Sequence, residues 1–166
     1  MMALPQLLDG SGIGAIAAAR VRENRTITRA LKIIERRAAQ RDQLMDSPDA
    51  GGKFFRLRLA DEPREHFEVA FLDVRHRLIQ AERLFSGSVD QSTVHPRIVV
   101  QRALSLNAAA VLLAHNHPSG DPEPSAADQA VTKRLAEALA LVDVRLLDHF
   151  VVTNRAALSM AARGLI

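Results

Sequence analysis

Apolar residues recur with two different periods along the chain, which separates predicted helices from predicted strands. Apolar side chains at positions 27, 30, 31, 34 and 38 follow helical spacing. The segment "DSPDAGG" (46–52) interrupts this pattern and is typical of a linker or a helix start. The following "KFFRLRLA" predicts a second, short helix. The first part of the chain is therefore predicted to be helical.

Short apolar runs bounded by turn residues predict a sheet in the rest of the chain. "HFEVAFLD" (66–73) and "LIQAERLFSGS" (78–88) are typical of a hairpin, and "AAVLLAH" of a buried central strand. "VRLLDHFVV" (144–152) predicts a further strand. Helices are predicted from Pro96 and from Ser125 to about Leu141. Strands alternating with helices predict an α/β (α+β) fold, with helices packed on one sheet.

Length and composition limit the class of protein. A chain of 166 residues predicts one domain, and 48% hydrophobic with 25% charged residues is typical of a globular protein. No apolar run approaches the roughly 20 residues that span a bilayer, and the N-terminus lacks a secretory pattern. We therefore expect a cytoplasmic protein without a membrane partner. The absence of cysteine excludes disulfides, thiol catalysis and the cysteine-ligated zinc of nucleobase deaminases.

The segment "HNHPSGDPEPSAAD" (115–128) concentrates candidate metal ligands behind the predicted central strand. His115 and His117 are two residues apart, so in an extended chain both side chains project to one side. The Pro- and Gly-rich "PSGDPEP" forces a turn, which can return Asp128 at the next helix start to the imidazoles. Two histidines and one carboxylate suit zinc with an open fourth position.

The same residues have a structural alternative. Ser125 and Asp128 are spaced as a capping box, in which Ser is the N-cap and an acid stands at the third helical position. Asp in a first helical turn is favoured in any protein. The two histidines would then belong to a polar surface turn. The capping role and a catalytic role do not exclude each other.

This segment resembles the JAMM signature, E … H-x-H-x7-S-x-x-D, of the MPN-domain metallohydrolases. More closely, "LNAAAVLLAHNHPSGDPEPSAAD" with "DHFVV" downstream resembles bacterial RadC-like proteins of the short form, from about residue 26 and most strongly over 63–166. The resemblance implies an MPN-like mixed β-sheet flanked by helices, with a helical N-terminal arm. We expect a flexible N-terminus at 1–25, a basic arm at 26–62 and the MPN (JAMM) domain at 63–166.

The resemblance also implies roles for individual residues. His115, His117 and Asp128 match the ligands of one zinc ion per chain, and Ser125 matches the serine that stabilises the oxyanion. Glu65, which precedes a predicted strand, matches the general base. These roles imply a hydrolase in which water activated by zinc and Glu65 attacks a peptide or isopeptide-like carbonyl, with a protein or peptide as substrate.

Several neighbouring residues remain open. Glu68 and Glu82 are rivals of Glu65 as the base. The pair Asp148-His149 could orient a ligand imidazole or form a structural hydrogen-bonded pair. Asn116 is expected to face away from the ligands in a turn role. We assign no function to the three histidines His66, His76 and His95.

The uneven charge suggests a second function. Residues 20–58 have a net charge of +6, whereas residues 59–166 have −2. This Arg-rich segment could make a DNA-repair-associated module that binds nucleic acid phosphates, or it could be an ordinary solvated helix face. "GSGIGAIAAAR" (10–20) matches only part of the helix-hairpin-helix of longer RadC-like proteins, so a DNA role is not carried over from that module. The apolar stripe of the arm is also compatible with a homo-oligomer.

Overall fold

The computed structural model describes residues 10–40, 44–87 and 94–166, and for residues 10–15 and 37–40 only the backbone is described. The helices of these residues are α1 (Gly10–Gln40), α2 (Pro48–Leu59), α3 (Pro96–Ser105) and α4 (Ala126–Ala140). The strands are β1 (His66–Leu72), β2 (Leu78–Ser86), β3 (Ala110–Asn116), β4 (Arg145–Val152) and β5 (Ala157–Ser159). No helix within the described ranges combines the length and hydropathy needed to cross a bilayer.

The strands form one mixed sheet in the order β2-β1-β3-β4-β5. Neighbours pair antiparallel except β3 and β4, which run parallel. Parallel neighbours require a crossover connection, and the segment between β3 and β4 contains α4. The mixed sheet flanked by helices that the sequence predicted is confirmed.

The two faces of the sheet carry separate apolar clusters. Every residue of β3 is buried, as its continuous apolar run indicated. One cluster packs α2 against the sheet, with its largest side chains from Phe54, Phe55, Leu59, Leu72 and Phe150. The other packs α3 and α4 against the opposite face, with Phe67, Phe71, Leu113, Leu135 and Leu139. The sheet is therefore covered on both sides at β3, whose end carries the candidate ligands.

The helices of the N-terminal part differ from the sequence expectation in two respects. Helix α1 begins at Gly10, whereas a flexible segment was expected to continue to residue 25; residues 1–9 lie outside the described ranges. The alanine-rich "AIAAAR" favours a helix despite the preceding glycines. Helix α2 begins behind the N-cap Ser47 and packs into the core of the sheet. The sequence pattern instead places this segment in the arm, before a boundary at residue 63.

The glycine pair of α2 provides a test of this packing. A Cβ on Gly51 would lie 2.8 Å from Cζ of the buried Phe150, whereas a Cβ on Gly52 would lie 3.4 Å from the Cβ of Ala157. We expect Gly51→Ala to lower the free energy of unfolding by about 1–3 kcal/mol through overpacking. Gly52→Ala, the matched control, should change it by no more than about 1 kcal/mol, since alanine favours the helix. Urea denaturation measures both, and equal stabilities for the two variants would contradict the close contact.

Candidate metal centre

Three side chains with metal-binding atoms meet at the end of β3 and the start of α4. His115 Nε2 lies 3.0 Å from His117 Nε2 and 3.1 Å from Asp128 Oδ1. His117 Nε2 lies 3.6 Å from Asp128 Oδ2. One donor atom from each residue can be chosen so that all lie within 4.8 Å of one another. The structure thus brings together the three residues that the sequence singled out as ligands.

Local structure explains why these three residues converge. His115 belongs to β3 and His117 follows it directly, so the period of an extended chain places both rings on one face. The backbone N–H of His117 donates to the carbonyl of Val152 on β4, which keeps the chain extended there. A turn follows, in which Gly120 adopts a φ of 84° that favours glycine. The chain then enters α4, whose third residue is Asp128.

Hydrogen bonds fix the outer nitrogen of each imidazole. Nδ1 of His117 lies 2.8 Å from the carbonyl oxygen of Asp121. Because a carbonyl only accepts, Nδ1 carries a proton and Nε2 faces the other ligands. Nδ1 of His115 lies 2.8 Å from Nε2 of the buried His149. Both ligand histidines therefore turn Nε2 towards Asp128, which is the orientation that a metal ion requires.

The charges of the cluster hold Asp128 as a carboxylate. Burial alone would raise the pKa of Asp128, but its contacts with His115, His117 and Ser125 keep this pKa well below its usual range. The hydrogen bond to Asp128 is the largest cause that raises the pKa of His117. Burial lowers the pKa of His149 well below its usual value, which keeps that ring neutral. The cluster therefore offers one anionic oxygen beside imidazole nitrogens.

This donor set fits a zinc ion. Two imidazole nitrogens and one carboxylate oxygen are a usual ligand set for a catalytic zinc with one further open position. Ligand atoms about 2.0–2.1 Å from a tetrahedral ion lie about 3.3 Å apart. Nε2 of His115 lies 3.0 Å from His117 Nε2 and 3.1 Å from Asp128 Oδ1, close to this value, whereas the 3.6 Å from His117 Nε2 is to the other carboxylate oxygen, Oδ2.

Ser125 stands beside the ligands as the N-cap of α4. Its Oγ accepts from the N–H of Asp128, and its own N–H and hydroxyl both donate to Oδ2 of Asp128, at 2.7 and 2.6 Å. The capping box that the sequence suggested is therefore present. Because the hydroxyl proton points at Asp128, Ser125 could stabilise an oxyanion only after its hydroxyl rotates.

Glu65 lies next to the cluster, directly before β1. In the β1–β3 register, Phe67 and His115 are the outermost pair; continued two residues further, the same register would bring Glu65 opposite His117 on the same face. The Glu65 carboxylate contributes to the raised pKa of His117, after the larger effect of Asp128. The carbonyl of Glu65 accepts from the N–H of Gly87, which fixes its backbone against the end of β2.

The structure places the two rival glutamates in ion pairs elsewhere. Glu68 points to the opposite face of the sheet, where it is buried and pairs with Arg58 and Arg83 at 2.5 and 3.2 Å. Glu82 on β2 forms an ion pair with Arg102 of α3. Of the three candidates, Glu65 is the one whose carboxylate contributes to the raised pKa of a candidate ligand, His117. The base assignment itself remains a prediction.

Asn116 links two segments of the chain by hydrogen bonds, whereas the sequence predicted only a turn role for it. Its side chain points away from the ligands and is buried. The amide oxygen accepts from the N–H of His66, and the amide nitrogen donates to the carbonyls of Glu62 and Arg64. These bonds tie the segment that carries Glu65 to β3. The sequence signal was a polar residue between two candidate ligands, but its partners lie some 50 residues away.

The pair Asp148-His149 divides between the two faces of the sheet. The Asp148 carboxylate accepts hydrogen bonds from the hydroxyl of Ser159 and the N–H of Ala161. These bonds hold the C-terminal segment against β4. His149 lies on the ligand face and contacts His115. The structure therefore places one member in a structural network and the other beside a candidate ligand.

The histidines without an assigned function lie elsewhere in the domain. His66 contacts Ser86 and Glu62 at the start of β1. His76 lies in the turn between β1 and β2, and His95 precedes α3 without a side-chain cap.

Basic residues of the segment 20–58 divide between two environments. Arg22, Arg25, Arg29 and Lys32 are exposed on α1, and their spacing of three and four residues places them on one helix face. Arg58 instead forms a part-buried ion pair with Glu68. Nucleic-acid binding through this segment and a homo-oligomer both stay predictions.

Asn116 is the basis of a stability test. We expect Asn116→Ala to lower the free energy of unfolding by roughly 1–3 kcal/mol, because it leaves backbone groups around Glu65 without partners. Asn154→Ala, at an exposed position, should change it by less than about 0.5 kcal/mol. Urea denaturation compares the two. An unchanged stability of Asn116→Ala would show that these hydrogen bonds do not hold the segment.

Comparisons with known proteins place these features in a family. A family model described as "RadC-like JAB domain" matches residues 45–165. A UPF0758 protein of Methylibium petroleiphilum is 48% identical over 161 residues, which cover 95% of this chain and 72% of that protein. A UPF0758 protein of Xanthomonas oryzae pv. oryzae is 54% identical over 127 residues, or 76% of this chain and 56% of the relative. A UPF0758 protein of Xylella fastidiosa is 51% identical over 141 residues, which cover 83% of this chain and 63% of that protein. Apart from the first, these relatives match over less than two thirds of their own length.

Proposed function

This chain belongs to the family of RadC-like JAB domains, and on that premise we propose that it is a zinc-dependent hydrolase that cleaves a peptide or isopeptide-like bond. The observation that carries the proposal is the convergence of His115 Nε2, His117 Nε2 and the Asp128 carboxylate. The electrostatic effect of the Glu65 carboxylate on His117, just beyond the Phe67–His115 pair of the sheet, supports it. We further propose one zinc ion per chain and protein or peptide substrates in the cytoplasm.

The ligands would supply the metal site directly. His115, His117 and Asp128 would hold the ion, with the outer nitrogens of both rings already bonded to protein groups. A bound zinc ion supplies Lewis acidity, which polarises a carbonyl and makes water a stronger acid near neutral pH. The fixed imidazoles and the buried carboxylate reduce the reorganisation that binding requires.

Glu65 would transfer a proton from the attacking water to the leaving amine. A carboxylate opposite His117 can accept a proton from the attacking water and then donate it to the leaving amine, which a peptide bond requires. The half-buried position of Glu65 leaves it accessible to water and substrate. Glu65 would therefore act first as general base and then as general acid.

Ser125 would contribute a hydrogen bond to the oxyanion. Its hydroxyl now donates to Asp128 Oδ2, which also accepts from the Ser125 N–H. When the hydroxyl rotates towards substrate, the backbone N–H continues to satisfy that oxygen. One side chain can thus serve the helix cap in the resting state and the oxyanion during the reaction.

The function is tested by cleavage of a mixed peptide pool, incubated with zinc-loaded protein and read by mass spectrometry. We expect new peptide termini with the wild type. Glu65→Gln should retain zinc but lower cleavage by about 10²–10⁴-fold, the usual contribution of general acid–base catalysis. Glu82→Gln is the matched control, because Glu82 pairs with Arg102 rather than facing the ligands, and it should cleave at nearly the wild-type rate.

Two results would contradict this account in different ways. Equal cleavage by Glu65→Gln and the wild type would reject Glu65 as the base. No cleavage of peptides or of an isopeptide-linked pool by wild-type protein that holds zinc would reject the proposed bond class while leaving the metal site intact.

A further inference from the structure

A buried chain of hydrogen bonds links two of the candidate ligands through the interior. His115 Nδ1 lies 2.8 Å from His149 Nε2, and His149 Nδ1 lies 2.5 Å from Thr132 Oγ1. Thr132 Oγ1 in turn lies 2.5 Å from the backbone carbonyl oxygen of Asp128. All four residues are at most 2% exposed. This series of hydrogen bonds thus runs from the ring of His115 to the backbone of Asp128.

The direction of every bond in this chain follows from its last member. The carbonyl of Asp128 can only accept, so the single hydroxyl proton of Thr132 is donated there. Thr132 Oγ1 must then accept from His149, which places a proton on His149 Nδ1. In a neutral ring the other nitrogen, Nε2, is then an acceptor. His149 can therefore accept from His115, whose Nδ1 carries the proton.

We propose that Thr132 and His149 are positioning residues that fix the tautomer of His115, so that Nε2 is the nitrogen that binds the metal. This inference deepens the proposed zinc site and rests on it. The two residues touch neither metal nor substrate. They keep the His115 proton on Nδ1, so that the lone pair of Nε2 faces Asp128 and His117.

The surroundings leave His149 little freedom to adopt another arrangement. Its ring is fully buried and makes an edge contact with Phe67, at 5.5 Å between centroids. The hydroxyl of Thr132 lies near Met160 Sδ as well, at 3.9 Å, but a thioether is a weak acceptor. Without the hydroxyl, His149 Nδ1–H loses the acceptor that it has in the structure. Its proton then favours Nε2, where it donates to His115 Nδ1 and forces the His115 proton onto Nε2.

Zinc affinity of a matched pair of variants tests this prediction. Thr132→Val keeps the shape of the side chain and removes the hydroxyl, whereas Thr132→Ser keeps the hydroxyl. With zinc chloride titrated against a competing chelator, we expect Thr132→Val to bind about 10–100-fold more weakly than the wild type, the usual effect of losing a partner of a metal-bound histidine. Thr132→Ser should restore most of the affinity. Equal affinities of the wild type and Thr132→Val would overturn the proposal.

A measurement without metal separates positioning from general loss of structure. Long-range ¹H–¹⁵N correlation spectra of the histidine rings report which nitrogen carries the proton. In the metal-free wild type we expect His149 in the Nδ1–H form, and in Thr132→Val a shift towards Nε2–H. Wild-type His149 in the Nε2–H form would overturn the proposal, even if the valine variant failed to fold.

These two measurements also distinguish this inference from the proposed function. If the wild type binds no zinc, the proposed metal site fails, while the spectra still decide whether the hydrogen-bond chain has its inferred direction. If the wild type binds zinc but Thr132→Val binds equally well, the site stands and the positioning role fails.

Discussion

The local structure depends on the contacts of the buried Asp128 carboxylate with Ser125 and His115. The carboxylate accepts hydrogen bonds from the hydroxyl and the N–H of Ser125, which fixes the start of α4. Its Oδ1 lies 3.1 Å from His115 Nε2. Burying an unpaired carboxylate is costly, because the charge loses its hydration. If the turn after β3 did not return α4 to the imidazoles, Oδ1 would lose its contact with His115 and the charge would keep only Ser125 as a partner.

The parallel pairing of β3 and β4 makes this return compatible with the fold. A parallel pair needs a crossover, and here the crossover contains the ligand turn and α4. The same pairing places His149 on the face of Leu113, next to His115 along the sheet. Antiparallel pairing with β1 brings Phe67 opposite His115 and extends towards Glu65. The three central strands thus supply one face of a single site.

The sequence predicted those features that depend on local spacing. The period of an extended chain placed His115 and His117 together, and the capping pattern located Asp128 on the first turn of α4. Features that depend on distant partners were not predictable. Asn116 binds the segment around His66 from about 50 residues away, and Thr132 is an unremarkable helix residue until His149 lies against it. The glycines of α2 left a linker and a helix start both open, because only the packed structure shows Phe150 against Gly51.

Measured metal content decides whether these residues form a metal centre. Wild-type protein and the double variant His115→Ala/His117→Ala are incubated with zinc, freed of excess ion and analysed for elements. The account predicts about one zinc per chain in the wild type, from the three ligands of one site, and its loss in the variant. A folded wild type that retains no zinc would contradict the account and leave the cluster as a capped turn.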